Sequence, residues 1–381
     1  MNVLIIGNAD SIFVKTLIEK THLPFDDKVS VLTGQNSIYK AFYRKNQVSV
    51  FCLKNTRTLF GIINFLNSIR VAIHQYDLII VHYLTARRVL PARIGSIFSK
   101  KLLLVCWGSD ILRQQNKNRI IENAIRASAA ILISTQEIKE KFRVLYGTEY
   151  DYKIKRIYFG SNGIDNLKRN NYDQHSLSIK YGINEQKIVI SIGYNKSVAQ
   201  QHLKVLQIIG SLLPEERKKI HILLRLTYGD GDNEYINQIK KCVKQTGCTS
   251  SFFESYLTDE EVAELTFLTD VFIHAQITDS RSASMCEHLY SGSLVINPSW
   301  IKYSDLENKV FYLKFNSFSD LKKIVKDNLV KKENSQYRKL LYDNKETIYE
   351  ICSWEFAIKL WRDIYLDNSM ECSSVETGEF R

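Results

Sequence analysis

Short, nearly continuous runs of Ile, Leu and Val alternate with helix-like stretches along most of this chain. Such runs are typical of parallel strands whose two faces are both covered by crossover helices. In the first half, the pattern predicts strands at residues 2–6, 29–32, 48–53, 78–82, 102–106, 130–134 and 154–158. In the second half, it predicts strands at residues 187–193, 220–226, 271–274 and 294–296. We therefore expect an α/β fold built from parallel sheets.

The length of 381 residues predicts two domains, because it exceeds the size at which one hydrophobic core normally stops growing. A polar, Asn-rich stretch without periodicity separates the two series of strands. The predicted parts are a Rossmann-like N-terminal domain (1–165), a linker (166–186), a second Rossmann-like domain (187–348), and a C-terminal helix and tail (349–381). Two doubly wound domains of this kind are expected to face an interdomain cleft, with ligands at the carboxyl ends of their strands.

The composition is that of a folded protein expected to stay in the cytoplasm. Hydrophobic residues make up 45% and charged residues 24% of the chain. No apolar run approaches the roughly 18 residues of a membrane span, and the N-terminus lacks the features of a signal peptide. Seven scattered cysteines predict reduced thiols, not disulfides or a zinc site.

The net charge of +11 is unevenly distributed. Residues 1–165 contain 24 Lys and Arg against 12 Asp and Glu, whereas the remainder contains 28 against 29. A basic first half predicts a polyanionic partner for that half. Because no zinc-finger or RNP-type signature accompanies the charge, we expect an anionic membrane surface and no nucleic acid.

The turn after the first predicted strand argues against a dinucleotide-binding enzyme. It contains a single glycine, Gly7, where the dinucleotide fingerprint G-x-G-x-x-G requires three. Gly7 is retained as a candidate for binding the substrate.

The most informative segment is residues 278–297, T-D-S-R-S-A-S-M-C-E-H-L-Y-S-G-S-L-V-I-N. It predicts a helix that begins near Asp279 or Ser280, either of which can cap it, and that ends at Gly292. The free N–H groups at the start of such a helix suit a diphosphate. Glu287 would lie two turns along, where its carboxylate can accept hydrogen bonds from vicinal hydroxyls. The alternative is that Asp279 only caps the helix and Glu287 is only solvated.

This segment resembles the acid-x7-acid element of retaining GT-B glycosyltransferases, with Asp279 where the family usually has Glu. The resemblance implies that Glu287 holds the ribose of the nucleotide and that Asp279 contacts the donor sugar. Ser282 and Ser284, in the same segment, are further candidates for binding the substrate.

Further motifs occur at residues 191–202, 224–229 (L-R-L-T-Y-G), 232–236 and 106–110 (C-W-G-S-D). They are similar to motifs of bacterial capsule and O-antigen transferases and, more distantly, of the N-acetylfucosamine transferase of enterobacterial common antigen. The resemblance implies a hexosyltransferase with a nucleotide-sugar co-substrate and no other cofactor. Its expected acceptor is a polyprenyl-linked saccharide or another glycan of surface polysaccharide synthesis, used at the inner face of the cell membrane.

Lys196, His202 and Arg225 are candidates for neutralising the donor diphosphate, because fixed cations can stabilise this leaving group without a metal. A solvated surface role is the alternative, and it fits Arg225 least because Arg225 interrupts an apolar strand. Tyr228 and Gly229 follow that strand at a position suited to contact with the nucleotide base.

The sequence Asp230-Gly231-Asp232 matches the D-x-D metal motif of the GT-A architecture. It lies inside a polar turn, and matches of three residues arise often by chance. We therefore expect a turn and no protein-bound divalent metal.

On the acceptor side, the candidates are Asp10, His82 and Asp110, at the ends of predicted strands. If the enzyme inverts the sugar configuration, Asp10 or Asp110 is the general base. If it retains the configuration, the leaving phosphate can accept the proton, and His82 would orient the donor sugar. The alternatives are that both aspartates cap helices and that His82 packs at a strand end.

Two segments are candidates for membrane contact. Residues 39–45 interleave aromatic and basic side chains, and residues 58–73 carry six large apolar side chains that end beside Arg70. Arg87, Arg88 and Arg93 add positive charge nearby in the sequence. An ordinary core helix remains the alternative for the second segment.

Two other functions remain open. A GT-B-fold nucleotide-sugar epimerase would convert or hydrolyse the donor alone. A non-catalytic partner of another transferase would bind nucleotide without turnover.

Overall fold

The computed structural model describes residues 1–53, 59–279 and 282–366, which form two compact units. The first unit comprises Met1–Tyr158 and residues 357–366, and the second comprises Phe159–Phe356. Ser280 and the predicted tail beyond residue 366 lie outside the described residues. None of the described helices has the length and apolar character needed to cross a bilayer.

The first unit contains a seven-stranded sheet in which every neighbouring pair is parallel. Its strands are β1 (Asn2–Ile6), β2 (Lys28–Thr33), β3 (Ser49–Cys52), β4 (Leu78–His82), β5 (Lys101–Val105), β6 (Ala130–Ile133) and β7 (Ile154–Arg156). Their order is β3-β2-β1-β4-β5-β6-β7, so the winding changes direction between β1 and β4. All five residues of β4 are buried, as expected for a central strand that is covered on both faces.

The helices of the first unit follow its strands in the usual alternation. They are α1 (Ile12–Thr21), α2 (Lys40–Lys45), α3 (Leu59–Ala72), α4 (Ala86–Gly95), α5 (Ser109–Leu112), α6 (Arg119–Ala127) and α7 (Gln136–Tyr146).

The second unit begins with two helices, α8 (Asn162–Arg169) and α9 (Gln174–Tyr181). The predicted linker contains α9 and the second half of α8. Each helix begins at a polar cap: Ser161 accepts from the Ile164 N–H, and Asp173 accepts from the Ser176 N–H. Local capping therefore produces helices where the apolar periodicity was too weak to predict them.

The second unit contains a six-stranded parallel sheet with the order β10-β9-β8-β11-β12-β13. Its strands are β8 (Ile188–Ile192), β9 (Ile220–Arg225), β10 (Thr249–Phe253), β11 (Val271–Ile273), β12 (Leu294–Pro298) and β13 (Leu313–Phe315). Its further helices are α10 (His202–Gly210), α11 (Pro214–Arg217), α12 (Asn233–Thr246), α13 (Asp259–Leu268), α14 (Ala283–Ser291), α15 (Phe318–Asp327) and α16 (Arg338–Cys352).

The last described helix, α17 (Trp354–Leu366), contains the boundary between the two units. In the first unit, Trp361 is fully buried and its indole N–H donates to the Tyr158 carbonyl at 2.8 Å. Arg362 of the same helix donates to the Asp27 carboxylate at 2.6 Å. These contacts attach α17, which lies within the predicted C-terminal helix and tail (349–381), to the first unit.

Candidate functional site

The carboxyl edge of the second sheet has a switch point between β8 and β11. These two strands are neighbours, yet the chain continues from them toward opposite edges of the sheet. Open parallel sheets bind ligands at such points, because helix N-termini and strand-end loops present free N–H groups there. Lys196, Arg225, Asp279 and Glu287 all lie on segments that leave this edge.

The helix α14 begins later than predicted. Ser282 is its N-cap, with Oγ accepting from the Met285 N–H at 3.1 Å. The prediction that Asp279 caps this helix is therefore wrong, and the Ser280 alternative lies outside the described residues. Glu287 consequently lies about one turn, not two, from the start of the helix.

The Glu287 side chain is buried against the start of α8. Its Oε1 accepts a hydrogen bond from the Ser161 hydroxyl at 2.6 Å. A Cβ placed on Gly163 would lie 2.5 Å from the same oxygen, so a side chain at this position would require the carboxylate to shift. Burial raises the pKa of Glu287, whereas the Ser161 hydrogen bond and the positive charge of Arg225 lower it. The solvated role considered for Glu287 is wrong.

Arg225 supplies a buried positive charge beside this helix. It is only 3% exposed, and its guanidinium donates to Ser284 Oγ at 2.8 Å. The same nitrogen lies 3.2 Å from His288 Nε2, which must be the acceptor because a guanidinium only donates. The solvated surface role considered for Arg225 is therefore wrong.

His288 is held in one tautomer by its two partners. Because Nε2 accepts from Arg225, the ring proton lies on Nδ1, which is 3.2 Å from Ser293 Oγ. Burial lowers the pKa of His288 well below its ordinary value, so the ring is uncharged at neutral pH. The Phe272 ring stacks on it with centroids 4.1 Å apart.

Asp279 is held by side chains from two other segments. Its Oδ2 accepts from the Tyr303 hydroxyl at 3.0 Å and lies 3.5 Å from His274 Nε2. His274 Nδ1 lies 2.8 Å from Asn297 Oδ1, and the amide of Asn297 donates to the Ile301 carbonyl. Burial and the adjacent carboxylate raise the pKa of Tyr303, so its hydroxyl remains a donor. The carboxylate of Asp279 is therefore fixed in place without being a helix cap.

The loops that follow β8 and β9 pack tightly on each other. The Lys196 N–H donates to the Tyr228 carbonyl at 2.8 Å. Gly229 has φ +122°, and a Cβ there would lie 2.6 Å from the Ser197 nitrogen. Glycine is therefore required at this position by the packing of the loops. At the edge of the sheet, the side chain of Lys196 is partly exposed and that of Tyr228 is half exposed.

Both carboxylates of the D-x-D sequence contact backbone N–H groups. Asp230 accepts from the Val198 N–H at 3.2 Å, and Asp232 caps α12 by accepting from the Tyr235 N–H. These contacts agree with the turn interpretation of the motif. In the part of the chain that the structure describes, no group of three or more His, Cys, Asp or Glu side chains could hold a metal ion.

His202 does not supply a fixed positive charge at neutral pH. The residue is fully buried at the start of α10, and burial lowers its pKa to about 4. Its Nδ1 lies 3.1 Å from the Tyr235 hydroxyl. Because desolvation favours the neutral ring, His202 does not match the cationic role predicted for it.

At the carboxyl edge of the first sheet, His82 is the last residue of β4 and is buried. The Trp107 indole N–H donates to its Nδ1 at 3.2 Å, which places the proton of the neutral ring on Nε2. Burial lowers the pKa of His82 to about 3, so the ring is uncharged at neutral pH. Its Nε2 has no hydrogen-bond partner among the described residues, so a buried donor is left for a ligand.

The two aspartates of the first unit hold loops. Asp110 accepts from the Leu84 N–H at 2.8 Å and from the Trp107 N–H at 3.0 Å. Asp10 accepts from the Ile38 N–H at 2.8 Å. Burial raises the pKa of Asp110, while the hydrogen bonds from the Leu84 and Trp107 amides lower it. Neither aspartate forms a side-chain cap at the start of α1 or α5, so the cap interpretation of both is wrong.

The segment from Leu59 to Ala72 exposes its apolar side chains. Only Ser68 and Ala72 of α3 are buried, whereas Phe60 is 72% exposed. The core-helix interpretation of this segment is therefore wrong. In the second candidate for membrane contact, residues 39–45, Tyr43 is instead buried and donates to the Ala9 carbonyl at 2.8 Å.

Sequence reasoning missed four residues that surround the carboxylates of Glu287 and Asp279. They are Ser161, Gly163, His274 and Tyr303. His274 ended a predicted strand, as His82 did, so the same strand-end argument could have identified it. Ser161 contacts a residue 126 positions away, and no local sequence signal reports such a contact.

The sequence matches no protein family model and no curated protein. Its fold is nevertheless similar to solved glycosyltransferase structures. HepE from Anabaena in complex with UDP aligns with a TM-score of 0.75 at 13% identity, over 96% of this chain and 100% of HepE. A glycosyltransferase from Rickettsia africae aligns with a TM-score of 0.77 at 14% identity, over 96% and 98% of the two chains.

WaaG, a glycosyltransferase involved in lipopolysaccharide biosynthesis, aligns with a TM-score of 0.65 at 13% identity, over 95% of this chain and 99% of WaaG. At such low identities the likeness establishes the fold. The GT-B architecture predicted from the sequence, with two parallel α/β units, is confirmed.

Proposed function

We propose that this protein is a glycosyltransferase that moves a sugar from a nucleotide-sugar donor to a lipid-linked saccharide. The pathway we propose is the synthesis of a bacterial surface polysaccharide such as capsule, O-antigen or exopolysaccharide. The observation that carries the proposal is the position of Glu287, buried one turn behind the capped start of α14 and close to Arg225. The solved structures with this fold include HepE bound to UDP and to UDP-glucose.

The donor occupies the carboxyl edge of the second sheet. The first N–H groups of α14 bind the diphosphate, because a helix N-terminus carries free donors and a partial positive charge. Glu287 accepts hydrogen bonds from the ribose hydroxyls, and in doing so competes for the oxygen that Ser161 contacts. Asp279, held by Tyr303, contacts the donor sugar.

The leaving diphosphate is neutralised by the protein, without a bound metal. Lys196 reaches it from the loop after β8, and the charge of Arg225 acts on it through Ser284. Fixed donors and cations of this kind stabilise developing negative charge without reorganising during the reaction.

The first unit binds the acceptor and an anionic membrane surface. Support comes from the surplus of basic residues in positions 1–165 and from the exposed apolar side chains of α3. Apolar side chains that enter the headgroup region, with Lys and Arg nearby, are typical of proteins that lie on a membrane.

UDP, GDP and TDP, with their sugars, provide the first test of the donor site. One of these nucleotides at about 100 times its Kd is expected to raise the melting temperature by about 3 °C, because ligand bound only to the native state stabilises it. The measurement is a thermal-shift screen in the presence and absence of a chelator. Inorganic pyrophosphate alone should give a smaller shift, because it lacks the ribose.

No shift with any nucleoside diphosphate or its sugars would contradict the proposed donor site. A shift that disappears with the chelator would contradict metal-independent binding. A protein that converts the donor without any acceptor would instead be an epimerase or a hydrolase.

Membrane binding is tested by sedimentation with vesicles. The bound fraction on phosphatidylglycerol vesicles is expected to fall as NaCl rises from about 50 mM to about 500 mM, because salt screens exposed charges. Phe60→Asp should weaken binding relative to the unmodified protein at the same salt concentration, since it places a negative charge on the exposed face of α3. Val144→Asp is the matched control, because Val144 is 79% exposed on α7 of the same unit. Equal binding to phosphatidylcholine vesicles would contradict the electrostatic part of the proposal.

A further inference from the structure

A large cavity lies in the first unit, between α3 and α4 at the carboxyl ends of β1 and β2. Its volume of about 1130 Å³ is slightly above the usual range for small-molecule sites, which extends to about 1000 Å³. Among the residues that line the cavity are Gly7 and Tyr83, which follow β1 and β4. These two strands are neighbours at the switch point of the first sheet, where open α/β sheets bind ligands.

The walls of this cavity are mainly apolar. Ile6, Leu32 and Phe65 are among the residues that line it. Two polar lining residues already have partners: Thr33 accepts from the Ala9 N–H, and the Ser68 hydroxyl donates to the Phe65 carbonyl at 2.5 Å. A sugar would exchange its hydrogen bonds with water for few new ones on such walls, whereas a hydrocarbon would lose nothing. The lining therefore favours a lipid over a saccharide.

The cavity is continuous with the exposed apolar face of α3. Leu59 and Ile62 line the cavity and are also 71% and 60% exposed to solvent. Phe60, Ile63 and Leu66 extend this face along the helix. Adjacent exposed apolar side chains of this kind are typical of a binding surface. A hydrocarbon chain can thus pass from a membrane, across this face, into the cavity.

Two arginines lie at the cavity on the first turn of α4. Arg87 is exposed, and Arg88 is anchored by donating to the His82 carbonyl at 2.9 Å. Guanidinium groups bind phosphate oxygens through paired hydrogen bonds. A ligand with a hydrocarbon chain and a phosphate group at its end therefore matches both parts of the site.

We infer that this cavity holds the isoprene units nearest the diphosphate of a polyprenyl diphosphate-linked acceptor, with the diphosphate at Arg87 and Arg88. The inference rests on the proposed function, since it assigns a site to the lipid part of the proposed acceptor. No covalent bond forms or breaks at this site, because the lipid is only bound there.

Binding of soluble prenyl diphosphates to the full chain tests this inference. Geranyl and farnesyl diphosphate are titrated by calorimetry in the presence of saturating UDP, with inorganic pyrophosphate as the reference. Each added isoprene unit is expected to tighten binding by at least about tenfold until the cavity is full, because each buried CH₂ contributes about fourfold. Equal affinity for pyrophosphate and farnesyl diphosphate would overturn the inference.

Two variants separate the cavity from other surfaces. Ile62→Asp places a charge on the cavity wall and is expected to weaken farnesyl diphosphate binding at least about tenfold. Ile97→Asp is the matched control, because Ile97 is 68% exposed in the same unit and does not line the cavity. Equal weakening by both substitutions would overturn the assignment.

Nucleotide binding is measured in the same two variants, so that this test remains distinct from that of the donor site. The thermal shift with UDP, or with whichever nucleotide the screen identifies, should be the same in both variants. Prenyl binding that depends on chain length but competes with this nucleotide would place the ligand at the second sheet and overturn the inference. Absence of any nucleotide binding in the unmodified protein would instead contradict the proposed function.

Discussion

Glu287→Gln is expected to lower the rate of sugar transfer by about 100-fold at subsaturating donor. A carboxylate accepts charge-assisted hydrogen bonds from two ribose hydroxyls, and replacing it with an amide weakens each of them by about 1.5 kcal/mol. Together these losses correspond to about two powers of ten in kcat/KM. The measurement is the rate of nucleoside diphosphate release with the donor that gives the largest thermal shift.

The matched control for this substitution is Glu264→Gln. Glu264 is also 8% exposed and lies in the second unit, but it contacts Lys180 and Tyr181 on α9. This variant is expected to keep the rate of transfer, because its side chain is not at the edge of the sheet. Unchanged kcat/KM in Glu287→Gln, or equal losses in both variants, would remove Glu287 from the proposed site.

The central strands could be predicted because burial on both faces leaves a clear pattern in the sequence. The predictions for β4, β8 and β9 agree with the structure to within two residues at each end. The strands β10 and β13 were missed, and both are edge strands. An edge strand needs less apolar sequence, as the polar start Thr249-Ser250-Ser251 of β10 illustrates.

The site could be predicted only where its chemistry is local in sequence. The strand, the helix and Glu287 follow one another along the chain, so their order was visible. The cap was misplaced because Asp279 is held by Tyr303, 24 residues later, and not by the helix N–H groups. The partners of Glu287 and Arg225 come from other elements, and pattern reasoning has no means of pairing them.

The exposure of α3 also could not be decided from sequence. A helix with apolar side chains on much of its surface is compatible with a protein core and with a membrane surface alike. The neighbouring elements decide between these possibilities, and in the structure they leave Phe60 and Leu66 uncovered.

Arg225→Met is expected to lower the free energy of unfolding by about 3 kcal/mol, because removing one member of a buried charged network leaves the others uncompensated. Ser284 and His288 lose their donor, and the Glu287 carboxylate loses the nearby positive charge that lowers its pKa. The measurement is chemical denaturation at neutral pH. Arg126→Met is the control and should change little, because the Arg126 side chain is 64% exposed and its partner Glu122 keeps a second cation, Lys117.

The double variant Arg225→Met, Glu287→Gln tests whether the two charges act on each other. Glu287→Gln alone should not destabilise the fold, because burial of the charged carboxylate is unfavourable, as its raised pKa indicates, and the amide removes that charge. The same raised pKa means that this residue's contribution to stability is present below its ordinary pKa of 4.5 and is lost as the pH rises through the folded value. In the double variant no uncompensated carboxylate remains, so the loss should be smaller than in Arg225→Met by at least about 1 kcal/mol. Strict additivity of the two substitutions would contradict a direct interaction between the two charges, and Arg225 would then stabilise the fold only through Ser284 and His288.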